Sequence, residues 1–150
     1  MIEKNGNSVC VAARFSTLPQ LLALLSPKAR WVASPQDAQT LLKAQVAVEE
    51  LFANSIHHGY GGESDHPVWL TVEQDRATLR VVYADQAEAF DPFSPIRAPL
   101  DDPHAAVAEG QVGGLGRLLV RGLARNCRYT REAGRNVTLL EFALENERAI

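Results

Sequence analysis

The chain has 150 residues and a net charge of −3. That length fits one domain able to bury a core, and that charge argues against non-specific nucleic-acid binding. No apolar stretch is long enough to span a bilayer and no basic start followed by an apolar run opens the chain, so a cytoplasmic protein without membrane contact is expected.

In chain order, residues 8–15 read as a first strand. Residues 18–32 read as a helix with Leu21, Leu22, Leu24, Leu25 and Trp31 on its apolar face, interrupted at Pro27. Ser34-Pro35 is a strong helix start, an N-cap serine with proline in the first position. That helix should run to about His57 and stop near Gly59. Residues 68–73 and 78–83 alternate with period two and are joined closely enough for a hairpin.

Residues 85–112 hold four of the eight prolines and show no period. A loop of that length inside one domain is usually functional, often a lid, or disordered. Helix signals return over 114–126. The chain then reads as a second hairpin, 127–131 and 137–144, turning around Gly134. Grouped helices with hairpin-linked strands give an α+β class, a two-layer sandwich with one sheet covered by helices on one face. Cys10 and Cys127 match no metal-ligand spacing and are read as reduced thiols. Residues 1–111 carry 8 basic and 14 acidic side chains, and residues 112–150 carry 7 and 4. The acidic part favours a metal and the basic end a phosphate or an acidic partner, beside the plainer reading of a solvated surface.

On the helix starting at Ser34, Leu41, Gln45, Val48, Phe52 and Ile56 form one stripe that should face the sheet. Glu50, Asn54 and His58 project from roughly the opposite side. An asparagine carbonyl suits Mg²⁺ held mostly by phosphates and water, and a glutamate one turn earlier can take a proton from an alcohol or a water. Glu49 lies nearer the apolar stripe, which favours Glu50. His58 fits a helix-end role as readily as a ligand contact. A polar face in water explains the same spacing. Asp85 ends a strand, where a carboxylate accepts a hydrogen bond from an exocyclic amine as easily as it starts a turn. Gly113-Gly114-Leu115-Gly116 opens a helix and lets backbone amides approach a phosphate, although no Walker lysine follows. Arg117, Arg121 and Arg125 share a face of that helix, read first as solvated.

Together these residues carry a resemblance. Glu50-x-x-x-Asn54-x-x-x-His58-Gly-Tyr resembles the N box of the gyrase, heat-shock chaperone, histidine kinase and mismatch-repair ATPase superfamily. Asp85-x-Ala87-x-x-Phe90-Asp91-Pro92 resembles its first glycine box, and Gly113 to Gly116 its second. Within that superfamily the chain is most similar to the stand-alone anti-sigma-factor serine kinases, in length, in the His-Gly-Tyr ending and in Phe-Asp-Pro.

The resemblance implies a Bergerat-type, histidine-kinase-like ATPase fold with a mixed sheet, one domain over 1–150 and an ATP lid at 93–112. It implies Glu50 as catalytic base, Asn54 as Mg²⁺ ligand and Asp85 as the adenine acceptor. His58, Ala87, Phe90, Gly113, Gly114, Leu115 and Gly116 complete the ATP site. It further implies phosphorylation of a STAS-type anti-sigma-factor antagonist, binding of a sigma factor and a homodimer. Ala87 stands where the family has glycine; alanine fits there only if φ is negative. The rival readings are a partner-sequestering module of the same fold and, lower, a histidine-kinase ATPase domain, which would need a phosphoacceptor helix pair.

Overall fold

The computed structural model describes residues 6–26, 34–93, 120 and 122–145. The glycine cluster at 113–116, residues 94–112 of the expected lid and residues 27–32 of the expected first helix lie outside them.

Strand β1 (Gly6–Ala12) ends before Phe15, because Arg14 to Thr17 turn back on themselves. Thr17 Oγ1 donates to the carbonyls of Ala12 at 2.8 Å and Arg14 at 2.9 Å and fixes that turn. Helix α1 (Leu18–Leu22) continues as one 3₁₀ turn through Leu25. Ser26 leaves the helical region at ψ 142°, as expected for a residue preceding proline.

Helix α2 (Pro35–Asn54) starts as the sequence requires. Ser34 sits extended, and its Oγ accepts the Asp37 amide at 3.1 Å. Leu41, Val48 and Phe52 of the expected stripe are fully buried, and Ile56 is nearly so. Half-buried Gln45 reaches sideways to donate to the Leu25 carbonyl at 2.8 Å. The α-helix stops at Asn54, and Ser55–Gly59 form a π-helical turn closed by Tyr60 N to the Ser55 carbonyl at 2.7 Å.

Strands β2 (Pro67–Asp75), β3 (Thr78–Asp85), β4 (Asn126–Glu132) and β5 (Arg135–Ala143) complete a five-stranded sheet in the order β1-β2-β3-β5-β4. Val68, Leu70 and Val72 of β2, Leu79 and Val81 of β3, and Leu140 and Phe142 of β5 join α1 and α2 in one core. Each such side chain contributes roughly 1.5–3 kcal/mol when fully buried. The β4–β5 hairpin turns through Ala133 (φ 51°) and Gly134 (φ 77°), two positive-φ residues of the kind that suit the twist of paired strands.

The α+β class and the layering are as expected, with one difference inside the sheet. All four pairings are antiparallel where a mixed sheet was expected. The crossover from β3 returns β4 in the same direction as β3, but β5 folds back between them and takes both hydrogen-bonding edges. A second difference lies in the helix expected over 114–126. Val120, Gly122 and Leu123 are helical, yet Arg125 N already donates to the Glu141 carbonyl at 2.8 Å and the chain has joined the sheet.

Candidate functional site

The end of α2, the end of β3 and the start of β5 meet beside the segment 86–93. Leu51, Asn54, Ser55 and Gly59 form one wall of a cleft there, Tyr83, Asp85, Asn136 and Thr138 its floor, and Ala87, Phe90 and Pro92 its rim.

Asp85 is the buried centre of this cleft, 6% exposed. The register places it directly opposite Asn136 on β5. Its Oδ2 accepts from Ser55 Oγ at 2.6 Å, and its Oδ1 accepts from Asn136 Nδ2 at 2.8 Å and from Ala87 N at 3.1 Å. Ser55 Oγ also lies 2.7 Å from Tyr83 Oη, which donates to the Leu51 carbonyl at 3.2 Å. A chain of hydroxyls thus ties α2 to the carboxylate. Burial lifts the Tyr83 phenol well above its ordinary range, opposed by the Ser55 hydrogen bond and reinforced by the Asp85 charge. A carboxylate accepts about four hydrogen bonds, so Asp85 retains capacity for one more donor, such as an exocyclic amine.

Tyr60, just past the π-turn, clamps the same corner from outside. Its Oη donates to the Pro67 carbonyl at 2.7 Å and accepts Gln86 N at 2.7 Å, while its ring stacks on His66 at 4.8 Å. Burial raises its pKa, the Gln86 amide opposes that, and the Asp85 charge adds to it.

Ala87 is 5% exposed. Among the described non-glycine residues only Arg76 and Ala133 have positive φ. Ala87 therefore occupies its position without strain. Its methyl instead meets Gly59: a Cβ built on Gly59 would lie 2.8 Å from Ala87 Cβ.

Asn54 lines the cleft, and its Nδ2 is buried with no hydrogen-bond partner, the one side-chain atom in that state among the described residues. Such an orphan costs about 1–3 kcal/mol and calls for an explanation. A 180° turn of the amide exchanges its nitrogen and oxygen at little steric cost, so the position can offer a donor to a phosphate or a carbonyl to a cation. Glu50 sits one turn earlier, half-buried and outside the cleft lining, and Glu49 beside it is exposed. No described residue donates to the Glu50 carboxylate. Among the described residues no group of three His, Cys, Asp or Glu side chains could hold a metal. An ion here would rest on one amide oxygen together with phosphates and water, as Mg²⁺ tolerates. A single amide position beside a buried carboxylate acceptor fits a nucleotide whose own phosphates supply most of the Mg²⁺ ligands.

His58 is exposed and outside the cleft lining. Glu50 and Asn54 lie one turn apart on α2, whereas His58 stands beyond its end, on the π-turn. His57 is exposed beside Phe15, ring centres 5.5 Å apart. Phe90 lines the rim at 40% exposure. The glycines 113, 114 and 116 and Leu115 lie outside the described residues.

Sequence reasoning missed Ser55, Tyr60, Tyr83 and Asn136. Two signals were present. Tyr83 lies two residues before Asp85 on the inward face of β3. Asn136 and Thr138 are polar residues at inward positions of a strand whose later inward residues, Leu140 and Phe142, are apolar.

The model of a histidine kinase-like ATPase domain family matches residues 13–142. Among solved structures, the RsbU and RsbW domains of Rv1364c from Mycobacterium tuberculosis are similar, with a TM-score of 0.62 at 13% identity. That match covers 98% of this chain and 35% of the other, so the chain spans about a third of that protein's length. No curated protein matches the chain by sequence. Among the described residues no helix is long and apolar enough to cross a membrane.

Proposed function

Because the chain belongs to the histidine kinase-like ATPase domain family, we propose that it binds ATP with Mg²⁺ and acts as a protein serine kinase of the anti-sigma-factor type. Its proposed partners are a STAS-type antagonist, which it phosphorylates, and a sigma factor, which it binds. Cytoplasmic location and homodimerisation belong to the same proposal. The observation that carries it is one cleft holding both a buried carboxylate with spare acceptor capacity and an orphaned amide one residue from Ser55.

In this reading Asp85 accepts the exocyclic amine of adenine, and its acceptor-only chemistry disfavours a keto group there. Asn54 would hold Mg²⁺, and Gly113, Gly114 and Gly116 would line the phosphates beneath a lid at 93–112. When bound, the metal nucleotide supplies the phosphoryl group and neutralises charge developing on its oxygens. Glu50, open on the side of α2, accepts the proton of the incoming serine hydroxyl. The remaining residues act by positioning: Ser55, Tyr83 and Asn136 fix Asp85, and the buried face of α2 fixes Glu50 and Asn54 one turn apart.

A second reading has one observation in its favour. Three protein donors already engage Asp85, which suits a partner-binding module without phosphotransfer. Labelled ATP with Mg²⁺ and a panel of STAS-type proteins from the same genome separates the two. Phosphoserine on one of them is expected, lowered about 10²-fold or more in Glu50→Gln with ATP binding retained. Transfer by Glu50→Gln at the wild-type rate overturns the assignment of the base, and ATP binding without transfer to any of them favours the module.

A further inference from the structure

Asn136 is the most connected side chain in the cleft, and its amide is committed to the protein on both ends. Its Nδ2 donates to Asp85 Oδ1 at 2.8 Å, to the Glu88 carbonyl at 2.9 Å and to the Ala87 carbonyl at 3.3 Å. Its Oδ1 accepts from Tyr129 Oη at 2.5 Å, from Phe90 N at 3.0 Å and from Arg131 Nη1 at 3.2 Å. Arg131 Nη1 also reaches the Ala87 carbonyl at 2.7 Å. Two amide hydrogens facing three acceptors, and two lone pairs facing three donors, leave nothing for a ligand. The orientation is fixed too, since a flipped amide would set its oxygen against the Asp85 carboxylate and two carbonyls. At 7% exposure, water cannot take over these bonds.

We propose that Asn136 is a positioning residue for base recognition: it acts through Asp85 and the backbone of 87–90, holding both in one arrangement, and it makes no bond to the nucleotide. This rests on the ATP-site reading given above. The charged and titratable groups bonded to it are Asp85 from β3 and Tyr129 and Arg131 from β4, and Tyr83 lines the same cleft.

The test compares wild type, N136D and N136A across a pH series from about 8 down to about 5.5, since lowering the pH drives two facing carboxyls toward sharing a proton. Circular dichroism first establishes that each is folded. Two readouts are taken: calorimetric titration with Mg·ATP, and amide-exchange protection at Ala87 and Phe90 in the nucleotide-free protein. N136D is expected to bind ATP about tenfold or more weakly at pH 8 and to recover most of that at pH 5.5, when a proton restores a donor toward Asp85. Protection at Ala87 should follow the same pH course. N136A should be weak across the series. Wild-type affinity in N136A, or in N136D at pH 8, overturns the inference. If wild type itself takes up no nucleotide, the ATP-site reading fails, and the exchange readout alone decides whether Asn136 holds Asp85. Should N136A not fold, N136D at pH 8 still decides.

Discussion

Gly59→Ala should damage the protein through one contact. The added methyl would lie 2.8 Å from Ala87 Cβ, whereas apolar carbons settle at about 3.5–4.0 Å. The two atoms must separate by roughly 0.7 Å or more. Neither is the tip of a flexible side chain, so backbone has to move. On one side that is the π-turn; on the other it is the 86–88 segment, held by Tyr60 Oη, Asp85 and Asn136. Overpacking of this kind costs about 1–3 kcal/mol. Replacing a helical glycine returns about 0.5–1 kcal/mol, leaving a net loss of roughly 1 kcal/mol, and about 2.5 kcal/mol at most. For a chain of this size a loss of about 1 kcal/mol lowers Tm by about 2–4 °C. Ala87→Gly removes the opposing methyl, so the pair should be coupled. Urea and thermal unfolding of wild type, G59A, A87G and the double variant measure this as a cycle. The expected coupling is about 1–2 kcal/mol, with the double variant well above G59A. Additive losses, or a G59A as stable as wild type, would refute the reasoning.

Tyr83→Phe removes the hydroxyl between Ser55 and the Leu51 carbonyl and should cost about 1 kcal/mol in urea unfolding. The raised Tyr83 pKa also fixes a pH dependence: its contribution is whole below the unfolded value of 10.0 and falls as pH rises from there through the folded value. Alkaline unfolding above about pH 10 should therefore be shallower in Y83F; an unchanged profile argues against it. Asn54→Ala should leave nucleotide-free stability unchanged or raise it by up to about 1 kcal/mol, since it deletes an orphaned group, while abolishing Mg²⁺-dependent ATP binding. A marked loss of stability would mean the amide has a structural partner. Ala133→Gly relieves a left-handed alanine in the β4–β5 turn and should raise the urea midpoint by about 0.5–1 kcal/mol in stability; a lower midpoint contradicts that.

Local chemistry made much of the fold legible. Ser34 and Pro35 located the start of α2 to the residue, and alternation located β2, β3 and β5 within two or three residues. Pro27 marked a break that the structure places at Ser26. What the sequence did not disclose depends on distant partners. The antiparallel pairing of β3 with β5 is decided by which strand fits between β3 and β4, not by any residue pattern within them. His58 falls on the π-turn beyond the end of α2, exposed and outside the cleft lining, a break in the helix that no residue of the His-His-Gly ending announces. The network around Asp85 joins residues 30 and 51 positions away, Ser55 and Asn136. Ala87 was doubtful in the sequence because its tolerance depends on a dihedral angle, and its negative φ moved the constraint to Gly59.

Asp85 and Asn54 are proposed to make one nucleotide site. Calorimetric titration of the whole chain with ATP and with GTP, each with and without Mg²⁺, tests it most directly. Saturable heat with Mg·ATP is expected, weakened without the metal, with GTP about tenfold or more weaker because its keto oxygen faces an acceptor-only carboxylate. No heat at millimolar Mg·ATP, or equal affinity for GTP, would contradict the claim.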